Sequence, residues 1–109
     1  MKKYVITGRI WLENKGETLL GEGKVALLQN IDKFGSLRSA ASEMKMSYRK
    51  AWYSIKQINL TATELVVVLQ RGGKKGGKAY LTDFGKKLLN GFIQKQTAFK
   101  QFLNTQNKK

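Results

Sequence analysis

The stretch "SLRSAASEMKMSYRKAWYSI", residues 36–55, leaves little freedom to a chain that carries it. Ser36 and Ser47 each stand where a serine hydroxyl satisfies the orphan N–H groups of a helix start. One short helix fits between them, with Leu37, Ala40, Ala41 and Met44 on a narrow apolar face. Only Lys45 and Met46 separate its end from Ser47, so two helices must meet across a very short turn. Alanines let the two backbones cross closely, and Met46 plugs the turn. The second of these helices, about residues 47–60, keeps Ala51, Ile55 and Ile58 in register. Helices joined in this way are the helix-turn-helix pattern.

The flanks complete the plan. "YVITGRIWLE", Tyr4 to Glu13, is β-branched and aromatic and predicts a strand, bent at Gly8. "NKGETLLGEG" reads as a turn. "KVALLQNIDKF" places Val25, Leu27, Leu28, Ile31 and Phe34 at helical spacing, with Gly35 as its stop. Past the helix pair, "ELVVVLQR" predicts a strand, "GGKKGGK" a loop and "AYLT" a returning strand. Thr82 starts a last helix with Asp83 in its first turn, where negative charge suits the helix dipole. The expected fold class is mainly α with a small β component (α+β): a winged helix-turn-helix with a long C-terminal helix. Residues 1–81 make the DNA-binding domain; residues 82–109 make the pairing helix and tail.

Charge selects the partner. The chain's 109 residues include 21 basic and 7 acidic ones, a formal net charge of +14. That excess calls for a polyanion, nucleic acid first and an anionic membrane surface second. From Met44 to Thr82 stand Lys45, Arg49, Lys50, Lys56, Arg71, Lys74, Lys75 and Lys78 against one acid, Glu64. There is no Cys and no His, which removes zinc fingers, thiol chemistry and histidine general bases from this sequence. No catalytic residue, metal ligand or cofactor is expected, and the chain is not expected to be an enzyme. No run approaches a transmembrane span, and a cytoplasmic location is expected.

At about 100° per residue, Arg49, Tyr53 and Lys56 lie opposite Ala51, Ile55 and Ile58, with Lys50 flanking. Tyr48 and Arg49 occupy the first turn, the end that helices of this kind point into the major groove. Arg49 has the fork geometry for a guanine edge, whereas Lys45 and Lys50 suit phosphates. Ser47, Tyr48 and Tyr53 complete the reading surface. Trp52 falls between the faces, open either to core packing or to DNA backbone contact. The glycine–lysine loop lacks the GxxxxGK[ST] spacing of a phosphate-cradling loop, so Arg71, Lys74, Lys75 and Lys78 form a basic wing along the backbone. The stripe from Phe84 to Leu103 outgrows a small domain, and Leu88, Phe92, Phe99 and Phe102 are expected at a homodimer seam.

The stretches "LLQNIDKFGSLRSAASEMKMSYRKAWYSIKQIN" and "GGKKGGKAYLTDFGKKLL" resemble the N-terminal DNA-binding domain of the molybdate-responsive ModE regulators, itself similar to the LysR-type winged helix. "SYRKAW" and "GGKKGG…LT..G..L" are the specific parts. The resemblance implies a bacterial transcription regulator that binds palindromic operator DNA as a dimer. It places the family's Ser, Tyr and basic helix positions on Ser47, Tyr48 and Arg49, and its basic wing on Lys74 to Lys78. Regulators of that kind carry a C-terminal oxyanion-binding region. The sequence ends in "NTQNKK" without one, so no small-molecule effector is expected. The alternatives are a sequence-tolerant architectural DNA-binding protein, a nucleic-acid enzyme, for which no carboxylate pair is in place, and a membrane-surface protein resting on the last helix.

Overall fold

A computed structural model of the chain describes residues 3–72 and 77–108. Two short antiparallel hairpins and four helices follow in the order β1 (Leu12–Asn14), β2 (Glu17–Leu20), α1 (Glu22–Phe34), α2 (Leu37–Glu43), α3 (Tyr48–Thr61), β3 (Val67–Gln70), β4 (Lys78–Leu81) and α4 (Asp83–Asn107). The class is mixed α+β, as the residue patterns predict. The core gathers Leu20 from β2, Leu27, Leu28 and Ile31 from α1, Ala40 and Ala41 from α2, Ile55 and Ile58 from α3, and Val66 and Val67 at the start of the second hairpin. Each large aliphatic side chain so buried contributes about 1.5–3 kcal/mol relative to exposure.

The N-terminal expectation is corrected. Of the predicted strand Tyr4–Glu13, only Leu12 and Glu13 lie in β1, and the turn-like stretch after it contains β2. Lys15 and Gly16 both have positive φ, 52° and 83°, which builds a two-residue turn matched to strand twist. Among the described residues, those before Leu12 find no strand partner. Instead the segment meets α4: the Asn107 amide donates to the Ile6 carbonyl at 3.0 Å, and its oxygen accepts the Ile6 N–H at 2.8 Å. β-branched composition reports a surface that packs well, not a ladder that must form. Phe34, expected on the inner face of α1, is instead exposed beside Gly35, with the Lys33 ammonium 5.3 Å from its ring centre.

The helix starts are fixed locally. The Ser36 hydroxyl accepts the Ser39 N–H at 2.9 Å, and the Ser47 hydroxyl accepts the Lys50 N–H at 3.0 Å. Between α2 and α3, the Met46 N–H donates to the Ala41 carbonyl at 3.0 Å and the Lys45 N–H to the Ser42 carbonyl at 3.1 Å. This is a Schellman turn, and its left-handed position, usually glycine, is Lys45 at φ 54°. A side chain there costs stability, so Lys45→Gly is expected to stabilise the fold by about 0.5–1 kcal/mol. Urea titration checks this; a loss of stability would show that the lysine side chain itself supports the turn.

At the far end of α3, Asn59 organises the second hairpin. Its side-chain oxygen accepts the Val66 and Val67 N–H groups at 2.9 and 3.1 Å, and its amide donates to the Val67 carbonyl at 3.0 Å. The hairpin pairs Val67 with Leu81 through to Gln70 with Lys78. The Ala79 N–H donates to the Gly35 carbonyl at 2.9 Å, fastening β4 to the end of α1. Thr82 caps α4 by accepting the Gly85 N–H at 2.9 Å. Gly85, Leu89 and Phe92 of α4 are buried, and from Gln94 onward no residue of the helix is. α4 lengthens the molecule, whose extents are 58 × 29 × 20 Å.

Candidate nucleic-acid interface

The register of α3 separates two faces. Ala51, Ile55 and Ile58 are buried, which directs Tyr48, Arg49, Lys50, Tyr53 and Lys56 outward. Tyr48 and Tyr53 stay 50% and 52% exposed and present their rings on this outer face. Lys45 is exposed on the turn that leads into this face. The Ser47 hydroxyl is engaged with the Lys50 N–H, so its role in the structure is to set where α3 begins.

The outer face of α3 opens onto a cleft of about 500 Å³. Tyr48, Arg49, Trp52 and Tyr53 form one wall. Leu37 and Arg38 of α2 lie at its edge, and Leu69, Arg71 and Lys78 at the loop end of the second hairpin form the other wall. Arg38, Arg49, Arg71 and Lys78 give it four cations, and no acid lines it among the described residues. Three aromatic rings and four cations facing one solvent-open groove suit phosphates and base edges. Lys50 and Lys56 share the exposed face without lining the cleft. Lys74 and Lys75 lie outside the described residues. Trp52 is half-buried: it packs against the core and also lines the cleft, with Tyr53 edge-on at 5.2 Å and the Lys56 ammonium 5.3 Å from its ring centre.

Arg38 is the residue that the sequence pattern does not disclose. Its guanidinium carbon lies 5.7 Å from the centre of the Tyr48 ring. Its position on α2, next to buried Leu37, marks it as outward-facing, but only the crossing of α2 and α3 brings it to the cleft.

The expected seam residues divide. Phe92, at 4% exposure, belongs to this chain's own core, because α4 lies against the rest of the domain through that turn. Little of its surface is therefore left for a partner copy. Leu88 is half-buried against the same core. Phe99 is half-buried, with its ring beside Gly8 and stacked on Phe102 at 6.4 Å and 18°. Phe102 remains 54% exposed, and the Asn107–Ile6 hydrogen bonds bring exposed Val5 and Ile6 to the same end of α4.

Among the described residues, no group of His, Cys, Asp and Glu is placed to hold a metal ion. No helix among them is long and apolar enough to cross a membrane.

The structure thus defines a small α+β protein with a cationic, aromatic cleft between a helix and a hairpin. Its relatives by sequence are molybdenum-related regulators and binding proteins. The chain is 36% identical over 81 residues to the molybdenum transport protein ModE of Azotobacter vinelandii, covering 74% of this chain and 30% of that protein. It is 40% identical over 81 residues, with the same coverage, to the molybdenum-pterin-binding protein MopB of Rhodobacter capsulatus. Over 66 residues, 61% of this chain and 25% of the other, it is 35% identical to the DNA-binding transcriptional dual regulator ModE of Escherichia coli (strain K12). These similarities support a ModE-family relationship for the matched stretch. The chain spans about 30% of the length of the first two relatives. No protein-family model matches it.

Proposed function

We propose that the chain is a winged helix-turn-helix domain of a sequence-specific transcription regulator that binds palindromic double-stranded DNA as a dimer. α2, the Lys45 turn and α3 are the helix-turn-helix, and α3 enters the major groove. β3 and β4 are the wing, which lies along the phosphate backbone. Tyr48, Arg49 and Tyr53 face the bases; Lys45, Lys50, Lys56, Arg71 and Lys78 take phosphates. The observation that carries this reading is the convergence of α3's exposed face and the loop end of the hairpin on one cation-lined cleft, without an acid among the described residues. A regulator among the relatives whose name states DNA binding supports it. The molybdenum in the relatives' names belongs to proteins of which this chain spans less than a third, and it is not carried over.

Pairing of two copies involves α4 beyond Phe92 and the N-terminal segment beside it, where Phe102, Val5 and Ile6 leave apolar surface exposed. The division between the part of the chain that packs on its own core and the part left for pairing thus falls within α4. The apolar face of α4 is taken up by this chain's own packing only as far as Phe92.

Selection of bound sequences from random duplex DNA tests the proposal. Enrichment of a two-fold symmetric sequence supports specificity and dimer symmetry together. Binding without any enriched sequence moves the chain to the architectural class, and absence of binding ends the reading.

The wing carries its own prediction. A lysine ammonium suits any phosphate and lacks the planar fork that matches a base edge. Replacing Lys74 and Lys75 with Ala should weaken binding alike on the selected and on random duplexes. The slope of log affinity against log salt should become shallower by about 0.9 for each phosphate no longer neutralised. A steady slope with a changed sequence preference would assign base reading to the wing.

A further inference from the structure

The aromatic residues of α3 do not stand alone. The Arg38 guanidinium carbon is 5.7 Å from the Tyr48 ring centre, that of Arg49 is 5.8 Å from Tyr53, and the Lys56 ammonium is 5.3 Å from Trp52. Tyr53 and Trp52 meet edge to face at 81°. Arg38, Arg49 and Lys56, on one side of the helix pair, are therefore each within cation–π reach of a ring.

We propose that Arg38 is a further DNA contact, held on the Tyr48 ring as the first rung of a cation–aromatic ladder that orients the cations of α2 and α3 toward DNA. The inference rests on the DNA-binding reading above and adds a residue and a device to it. A long exposed cation loses rotamer freedom when it binds, and that loss opposes affinity. A guanidinium already drawn to a ring within cation–π reach has lost part of that freedom beforehand. Attraction to a ring takes up none of the guanidinium's hydrogen-bonding capacity, so N–H groups remain to donate to phosphate oxygens. Arg38 also differs from the other rungs in origin. It stands on α2, where its neighbour Leu37 is buried and fixes its place. A phosphate held by Arg38 would therefore fix the angle at which α3 enters the groove, which is what backbone contacts do in such complexes.

The experiment uses the whole chain with two labelled duplexes, the selected sequence and a random one, titrated at several salt concentrations. Arg38→Gln should weaken both alike, about three- to tenfold, and make the salt slope shallower by about 0.9. Tyr48→Leu should weaken binding about two- to fivefold, and Tyr48→Phe, which keeps the ring, should recover most of that loss. Because part of the ring's effect acts through Arg38, beside its own place on the base-facing side, the double variant Arg38→Gln with Tyr48→Leu should lose less than the product of the single losses. Both positions are exposed, so melting curves should stay matched. Arg38→Gln at unchanged affinity and slope would overturn the proposal, as would single losses that simply multiply. If the unmodified chain binds neither duplex, the DNA-binding reading fails, and the ladder fails with it.

Discussion

Gly85→Ala is expected to destabilise the fold by about 2–4 kcal/mol, a fall of roughly 10 °C or more in Tm. Gly85 lies in the first turn of α4, buried against Val66, the residue that precedes β3. A Cβ added there would run into the carbonyl oxygen of Val66, which is backbone and has no rotamer through which to move away. That carbonyl already accepts the Thr82 N–H at 2.9 Å, and the Thr82 hydroxyl donates to the Leu65 carbonyl at 2.6 Å. Relief of the clash would have to lift α4 off the hairpin and break the cap that starts it. The same helix supplies its own control. A methyl group added at Gly91 would meet nothing within 4 Å, so Gly91→Ala should gain about 0.5–1 kcal/mol from helix propensity. Thermal and urea unfolding of the two variants should therefore give opposite signs. A Gly85→Ala protein within about 0.5 kcal/mol of the parent would show that α4 and the hairpin slide past each other without cost.

How much of this is legible in the sequence follows the range of the interactions involved. The caps at Ser36, Ser47 and Thr82 act on N–H groups within their own first turns, so they show in the sequence and recur in the structure. The inner face of α3 needs only the helical period. Asn59 is different: its partners are the backbone groups of Val66 and Val67, and no local pattern announces an asparagine that nucleates a strand. The β1–β2 turn has a local signal, Lys15–Gly16 between extended stretches, but the stronger β-branched composition upstream draws the strand assignment to residues that have no partner. Arg38 and Phe92 depend on how helices cross. Arg38 reaches the cleft only because α2 packs beside α3. Phe92 is buried because α4 lies on the domain for its first turns, a depth that an apolar stripe alone does not reveal.

Arg49→Ala is expected to cost about 1–3 kcal/mol on the selected duplex and to relax preference at one base pair in each half-site. The proposal of α3 as the reading helix places Arg49 on the first exposed turn, ahead of buried Ala51 and Ile55, which hold that turn in place. Ser47 sets the start of the helix through its bond to the Lys50 N–H, so the Cα of Arg49 is fixed by both cap and core. The guanidinium rests 5.8 Å from the Tyr53 ring centre and lines the cleft. Lys50 is its neighbour in sequence, but it lies outside the cleft and offers a point charge in place of a planar fork. An ammonium suits any phosphate, whereas the guanidinium fork matches the paired acceptors of one guanine. Random duplex offers Arg49 no such constant partner, so binding to it should fall much less. Paired titrations of the selected and random duplexes at one fixed salt concentration measure the difference directly. An equal loss on both would make Arg49 a phosphate anchor and pass the reading role to Tyr48 or Tyr53, the other exposed side chains on the same wall of the cleft.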